Sequence, residues 1–179
     1  MLTRKSERAS SAPADEASGR KLQSALPANL PPQCATVSLL GVDYVHFKTE
    51  DGGDLYLTRF GLPFWQNLLP ENWYAPEWFE TKRERLEGTS TVYKVPTRPI
   101  NGRTLQLVVK WSRVGEVVPL DTLTTNKFIH AEFNSPFEEF SLLTELRKGE
   151  LGPPGIRIRT QRPMAIYVPS ERPIKKCHQ

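Results

Sequence analysis

Residues 82–111 contain three short β-type runs in close succession, and their spacing constrains the fold more than any other feature of the chain. The runs are KRERLEG, TSTVYKV and GRTLQLVVKW. Gly88 separates the first two runs. Asn101-Gly102 separates the last two, and this dipeptide favours a tight hairpin turn because both residues tolerate positive φ. Short connections join antiparallel neighbours, so the sequence predicts a three-stranded antiparallel meander.

One helix stands out further along, in SPFEEFSLLTELRKG at residues 135–149. Ser135 suits the N-cap, Pro136 suits the first helical position, and Glu138 completes a capping box three residues after the serine. Gly149 suits the left-handed residue that ends many helices. A run of strands followed by a helix is typical of the α+β class.

Two charged residues interrupt the apolar patterns of the last strand and this helix. Lys110 follows Leu-Val-Val in the strand, and at 100° per residue Glu139 falls inside the arc of Leu142, Leu146 and Leu143. A buried charge without a partner costs several kcal/mol, so the lysine must face water, meet a carboxylate or bind an anion. We predict that the two side chains meet. The alternatives are a lysine that protects an exposed edge strand and a partly exposed glutamate.

The remaining chain divides by composition and turn signals. The predicted parts are a disordered arm rich in Ser, Ala and Pro at 1–35, a β-hairpin around Asp51-Gly52-Gly53 with an aromatic segment at 36–80, the main unit at 81–170, and an irregular tail at 171–179. In the aromatic segment, Trp73, Tyr74, Trp78 and Phe79 are interpreted as a packing plug rather than a base-stacking platform, because basic residues do not alternate with them.

Two further strands are predicted near the end of the main unit. IRIRTQ at 156–161 alternates like an edge strand, and MAIYV at 164–168 is typical of a more buried one. Arg157 and Arg159 lie on one face of the first and either face water or bind an anion.

Composition limits the class of protein only weakly. The 24 basic and 20 acidic residues give a net charge of +4 without clustering along the sequence. No stretch approaches the roughly 18 apolar residues of a membrane span, and the amino terminus lacks the apolar core of a secretory signal. We therefore expect a cytoplasmic protein that does not bind membranes. Its two cysteines, Cys34 and Cys177, show neither zinc nor disulfide spacing.

These motifs together carry a resemblance. Residues 82 to about 168 resemble the amino-terminal lobe of the protein-kinase-like fold, in the manner of divergent bacterial kinases of small molecules or lipopolysaccharide. EGTSTVYKV is similar to the hairpin that covers the nucleotide, LVVK to the third-strand lysine motif, EFSLLTEL to the C-helix, and MAIYVPSE to the fifth strand and hinge. The resemblance implies a five-stranded antiparallel sheet with one packed helix.

The resemblance also implies an ATP site. Lys110 would hold the phosphates and Glu139 would orient it. The other implied nucleotide contacts are Gly88, Thr89, Ser90, Thr91, Tyr167 and Val168. The His-Arg-Asp and Asp-Phe-Gly motifs are missing, so we expect nucleotide recognition by a truncated phosphotransferase, with Mg²⁺ only if a second lobe or a partner protein supplies its ligands.

A second hypothesis is a non-catalytic binding module whose mildly basic sheet surface contacts a protein or a nucleic acid. Under the first hypothesis the ligand is a nucleotide, and nucleic acid is not expected. The sequence contains no Ser-His-Asp set, no metal-ligand spacing and no Walker-type loop, so it predicts neither a hydrolase nor a metal site.

Overall fold

The computed structural model describes residues 26–87, 91–112, 135–149 and 158–171. Within these ranges the strands are β1 (Ala35–Leu39), β2 (Val42–Lys48), β3 (Asp54–Leu57), β4 (Glu84–Leu86), β5 (Val92–Pro96), β6 (Gln106–Lys110) and β7 (Ala165–Val168). The helices are α1 (Pro76–Lys82) and α2 (Pro136–Lys148), with 3-10 turns at Leu62–Phe64 and Pro70–Asn72. The described residues contain no helix that is long and apolar enough to cross a bilayer.

The strands form two antiparallel sheets, which confirms the α+β class and corrects the predicted architecture. The four-stranded sheet has the order β1-β2-β3-β7, and the three-stranded sheet has the order β4-β5-β6. The prediction of one five-stranded sheet is wrong because β7 pairs with β3, with Leu55 opposite Tyr167. Gly53 permits this approach, since a Cβ on it would lie 2.6 Å from Cε2 of Tyr167.

The predicted Asn101-Gly102 turn is confirmed by the backbone, and Gly88, the other predicted junction of the meander, lies outside the described residues. Asn101 and Gly102 have φ values of 49° and 74°, and the flanking Ile100 and Arg103 form a β-bridge. This is the geometry that a two-residue type I′ turn requires. The three predicted strands of the meander are therefore present in the predicted order, as β4, β5 and β6.

One apolar core lies between the inner faces of the two sheets. It contains Val45, Phe47, Leu55 and Leu57 from the first sheet, Val95 and Leu107 from the second, and Leu62, Leu68, Trp73 and Phe79 from the segment between them. Trp73, Tyr74 and Phe79 thus pack as predicted, whereas Trp78 is not part of this cluster and its indole donates to the carbonyl of Pro96 at 2.8 Å. Residues on both sides of the predicted boundary at position 80 contribute to this core.

The core also draws on residues of the predicted disordered arm. Leu26, Leu30 and Cys34 pack against it, and β1 begins at Ala35. Order therefore starts before the predicted boundary at residue 35, because these apolar side chains find a surface to cover. Residues 1–25 and 172–179 lie outside the described residues. In the predicted edge strand, 158–160 are not part of a strand, and 156–157 lie outside the described residues.

Helix α2 begins and ends as predicted. The Ser135 hydroxyl accepts a hydrogen bond from the Glu138 amide at 3.2 Å, the Glu138 carboxylate accepts one from the Ser135 amide at 2.6 Å, and Gly149 has a φ of 75°. The helix covers the outer face of the four-stranded sheet, where Phe137 and Phe140 pack against a cluster that includes Tyr44. It therefore packs against a different sheet from the one that carries Lys110.

Candidate functional site

Lys110 lies at the end of an edge strand. In β6 the side chains of Leu107 and Val109 turn toward the core, while Val108 and Lys110 turn outward and are exposed. Among the described strands only β5 pairs with β6. The lysine is thus placed as the alternative interpretation expected, on the exposed edge of a small sheet.

Lys110 and Glu139 do meet. The Lys110 ammonium donates a hydrogen bond to Oε2 of Glu139 at 2.6 Å. The side chains of Lys110 and Glu139 are 46% and 38% exposed to solvent, respectively. The pair is therefore a solvated ion pair at a junction between β6 and α2, and the phosphate-binding role of Lys110 stays a prediction.

The helix presents Glu139 to the lysine for a reason that the apolar arc did not predict. The face packed on the sheet contains Phe137 and Phe140, and the hydroxyl of Ser141 donates to the carbonyl of Leu40 at 2.7 Å. Leu142, which was expected to be buried, is 56% exposed. Because Glu139 is two residues from Phe137, it projects away from this face and reaches the neighbouring sheet edge.

We expect the Lys110–Glu139 pair to contribute little to stability. A double-mutant cycle with Lys110→Met and Glu139→Gln should give a coupling free energy of roughly 0–1 kcal/mol, because both groups remain hydrated in the folded protein. Urea unfolding of the four proteins measures it. A coupling well above this range would mean that the pair is desolvated in solution.

Among the other predicted nucleotide contacts in the described residues, only Thr91 lies beside Lys110, since Val92 pairs with Lys110 in the sheet. Gly88, Thr89 and Ser90 lie outside the described residues. The carbonyl of Thr91 accepts the backbone amide of Trp111 at 3.1 Å, so it is engaged in the sheet. Tyr167 and Val168 belong to β7 of the other sheet.

Tyr167 has a different environment from the expected hinge. Its hydroxyl donates to the Asp51 carboxylate, and burial together with this carboxylate raises the pKa of the phenol. Burial alone would raise the pKa of Asp51, but hydrogen bonds from Thr49, Tyr167 and the Gly53 amide hold it below its usual value. This contact closes the β2–β3 hairpin onto β7, which is a structural role.

The described residues also bring together four arginines, which we call the arginine surface: Arg59, Arg147, Arg159 and Arg162. Its frame is a set of contacts between the end of β3 and the segment before β7. The amide of Thr58 donates to the carbonyl of Met164 at 3.0 Å, and its hydroxyl donates to that of Pro163 at 2.5 Å. Arg59 and Arg162 each adjoin one of these residues.

Arg147 completes the surface from the last turn of α2. Its Nη1 donates to the carbonyl of Thr160 at 2.8 Å. Its guanidinium carbon lies 5.1 Å from the centroid of the Phe60 ring, and that of Arg59 lies 4.8 Å from the same centroid. Thr160 is adjacent to Arg159, so the backbone positions of all four arginines lie along one set of contacting segments.

In the part of the chain that the structure describes, no carboxylate forms an ion pair with this surface. Among the described residues, none of the four guanidinium groups forms an ion pair, and the only arginine that does is Arg83, with Glu80. Arg59, Arg159 and Arg162 are exposed. The Nε of Arg147 is buried and lacks a hydrogen-bond partner among the described residues. Among the described residues this partly buried cation bonds only to the neutral carbonyl and hydroxyl of Thr160, an arrangement that favours an anion nearby.

Sequence reasoning found only one part of this surface. The alternation around Arg159 indicated an anion-binding alternative, but Arg59, Arg147 and Arg162 are separated along the chain and no local motif connects them. Arg157 lies outside the described residues. In the described ranges no group of three or more His, Cys, Asp and Glu residues could hold a metal ion.

Comparisons with known proteins identify no relative. No family model, no curated protein and no solved structure matches the chain.

Proposed function

We propose that this protein is a non-catalytic nucleic-acid-binding module that holds the phosphate backbone on its arginine surface. The observation that carries the proposal is the set of four arginines gathered without a carboxylate partner among the described residues. Guanidinium groups offer forked donors that match phosphate oxygens, and such contacts supply most of the affinity of sequence-independent binding.

The surroundings of the surface favour backbone recognition over base recognition. Phe60 is the aromatic ring at its centre, and the guanidinium groups of Arg59 and Arg147 lie over that ring. A ring engaged in this way is a poor platform for stacking a base. We therefore infer binding that depends on charge and is indifferent to sequence.

Fluorescence anisotropy with labelled oligonucleotides tests the proposal. Two single strands of equal length and unrelated sequence should bind with affinities within about threefold of each other, because the contacts are made to phosphates. Polyglutamate of equal charge should compete poorly. Equal or better competition by polyglutamate would indicate an acidic protein as the partner instead, and sequence preference above tenfold would contradict backbone recognition.

Nucleotide recognition at Lys110 is the second candidate, favoured by one observation, the 2.6 Å contact with Glu139. An ammonium oriented by a carboxylate can hold phosphates in a nucleotide site. The exposure of both side chains and the packing of α2 on the other sheet weigh against it.

Thermal unfolding in ATP separates the two candidates. We expect no shift at millimolar ATP that depends on Lys110, because a solvated ion pair offers no enclosed phosphate site. A ligand at a hundredfold excess over its Kd stabilises a protein by about 2.7 kcal/mol, which such a scan detects readily. A shift that Lys110→Met abolishes and Arg59→Ala leaves intact would favour nucleotide recognition.

A further inference from the structure

Helix α2 is attached to the rest of the protein by an unusually light interface. None of its residues is fully buried, and its central Leu142 is exposed. Phe137 and Phe140 supply its apolar contact, and both are only partly buried. Helices in proteins are stabilised mainly by packing of an apolar face, so the free energy that holds this helix in place is small.

Among the described residues, three polar contacts fix the docked position, each on a different part of the fold. Glu139 binds Lys110 on β6, Ser141 donates to Leu40 in the β1–β2 turn, and Arg147 donates to the carbonyl of Thr160. The first two contacts are exposed to solvent, where water replaces them at little cost. Each adds only a modest amount of stability, but removing one still matters for a helix whose apolar contact is small.

The sheet face under α2 pays a penalty while the helix is docked. Tyr44 has 0% exposure, and its hydroxyl finds no hydrogen-bond partner among the described residues. An unsatisfied buried hydroxyl is unfavourable, and water can satisfy it if the helix moves away. The opposite face of the same sheet stays covered by the main core, which contains no residue of α2.

From these observations we infer that α2 is a detachable cover. The helix moves off the four-stranded sheet as one unit while both sheets and the main core stay folded. Its release uncovers an aromatic and aliphatic face that contains Val42, Tyr44, Tyr56 and Ile166. The inference does not depend on nucleic-acid binding, because it concerns the contacts of the helix and not the charge of the arginine surface.

Two valines of β2 provide a matched test. Val42 lies under α2, and Val45 lies in the main core on the other face of the same strand. Each is replaced by cysteine in a full-length chain that carries Cys34→Ser and Cys177→Ser, and reaction with a thiol reagent is followed under native conditions. Local opening should make Val42→Cys react about tenfold or more faster than Val45→Cys, which reacts only through global unfolding.

A second change excludes simple static exposure of position 42. Adding Ser141→Ala removes one tie of the helix, so it should accelerate Val42→Cys and leave Val45→Cys unchanged. Low concentrations of urea should accelerate Val42→Cys only weakly, because little surface is exposed in a local opening. Equal rates with the same urea dependence, or a Val42→Cys rate that Ser141→Ala does not alter, would overturn the inference.

Discussion

Replacing Gly61 by alanine is expected to lower the free energy of unfolding by about 3 kcal/mol, a large effect for one added methyl group. A Cβ at this position would lie 2.2 Å from the carbonyl oxygen of Met164 and 2.9 Å from its carbonyl carbon. Both atoms belong to the backbone, and Thr58 holds that carbonyl with its amide. The strand connection must shift to make room, which loosens β7 and the arginine surface together.

Gly102→Ala is the control for this change. Gly61 has a φ of −81°, which any residue adopts, whereas Gly102 has a φ of 74° and open space around its Cβ position. The control therefore measures backbone strain alone, and we expect it to cost about 1 kcal/mol. Urea unfolding followed by tryptophan fluorescence compares the two. A cost for Gly61→Ala no larger than that of the control would contradict the close approach of residues 61 and 164.

The second large effect concerns the arginine surface. Arg59→Ala combined with Arg162→Ala should weaken binding to a single-stranded oligonucleotide about tenfold or more in about 0.1 M salt, uniformly across sequences, since two phosphate contacts are lost. Both side chains are exposed, so the fold should be unaffected. Anisotropy titrations measure the affinity, and thermal unfolding checks the fold.

A matched variant separates this surface from net charge. Lys82→Ala with Arg85→Ala removes the same two positive charges from exposed positions on α1 and β4. We expect it to change affinity less than threefold, because long-range charge is screened within about 10 Å at 0.1 M salt. Equal losses in the two double variants would mean that net charge, and not the arginine surface, determines binding.

The sequence was most informative where structure is decided by neighbouring residues. The Asn101-Gly102 turn follows from the left-handed conformation that both residues tolerate, and the start of α2 follows from the reciprocal bonds of Ser135 and Glu138. These features form from a few consecutive residues. They could be predicted without knowledge of the rest of the fold.

The sequence did not predict which face of helix α2 is buried, because several of its faces carry apolar residues. Helix α2 has apolar residues on more than one side, so periodicity could not decide between the Phe137–Phe140 face and the face with Leu142. The contact of Lys110 with Glu139 was predicted from the wrong face. It forms because Glu139 projects from the helix toward the edge of the second sheet, which no pattern in the helix reports.

Long-range pairing was equally out of reach. A strand such as MAIYV can pair with any open sheet edge. Here it forms β7 and pairs with β3 rather than with the meander. That pairing brings the backbone of Arg59 near the segment that contains Arg162, about a hundred positions apart in the chain. A surface assembled in this way has no signature in a single sequence beyond its arginines.

The salt dependence of oligonucleotide binding tests the central claim most directly. If the four arginines each neutralise one phosphate of a single strand, a plot of log Kobs against log salt should have a slope of roughly −3, and Arg59→Ala with Arg162→Ala should reduce its magnitude by about half. Binding with a slope near zero, or a slope that this double variant leaves unchanged, would contradict phosphate recognition by the arginine surface.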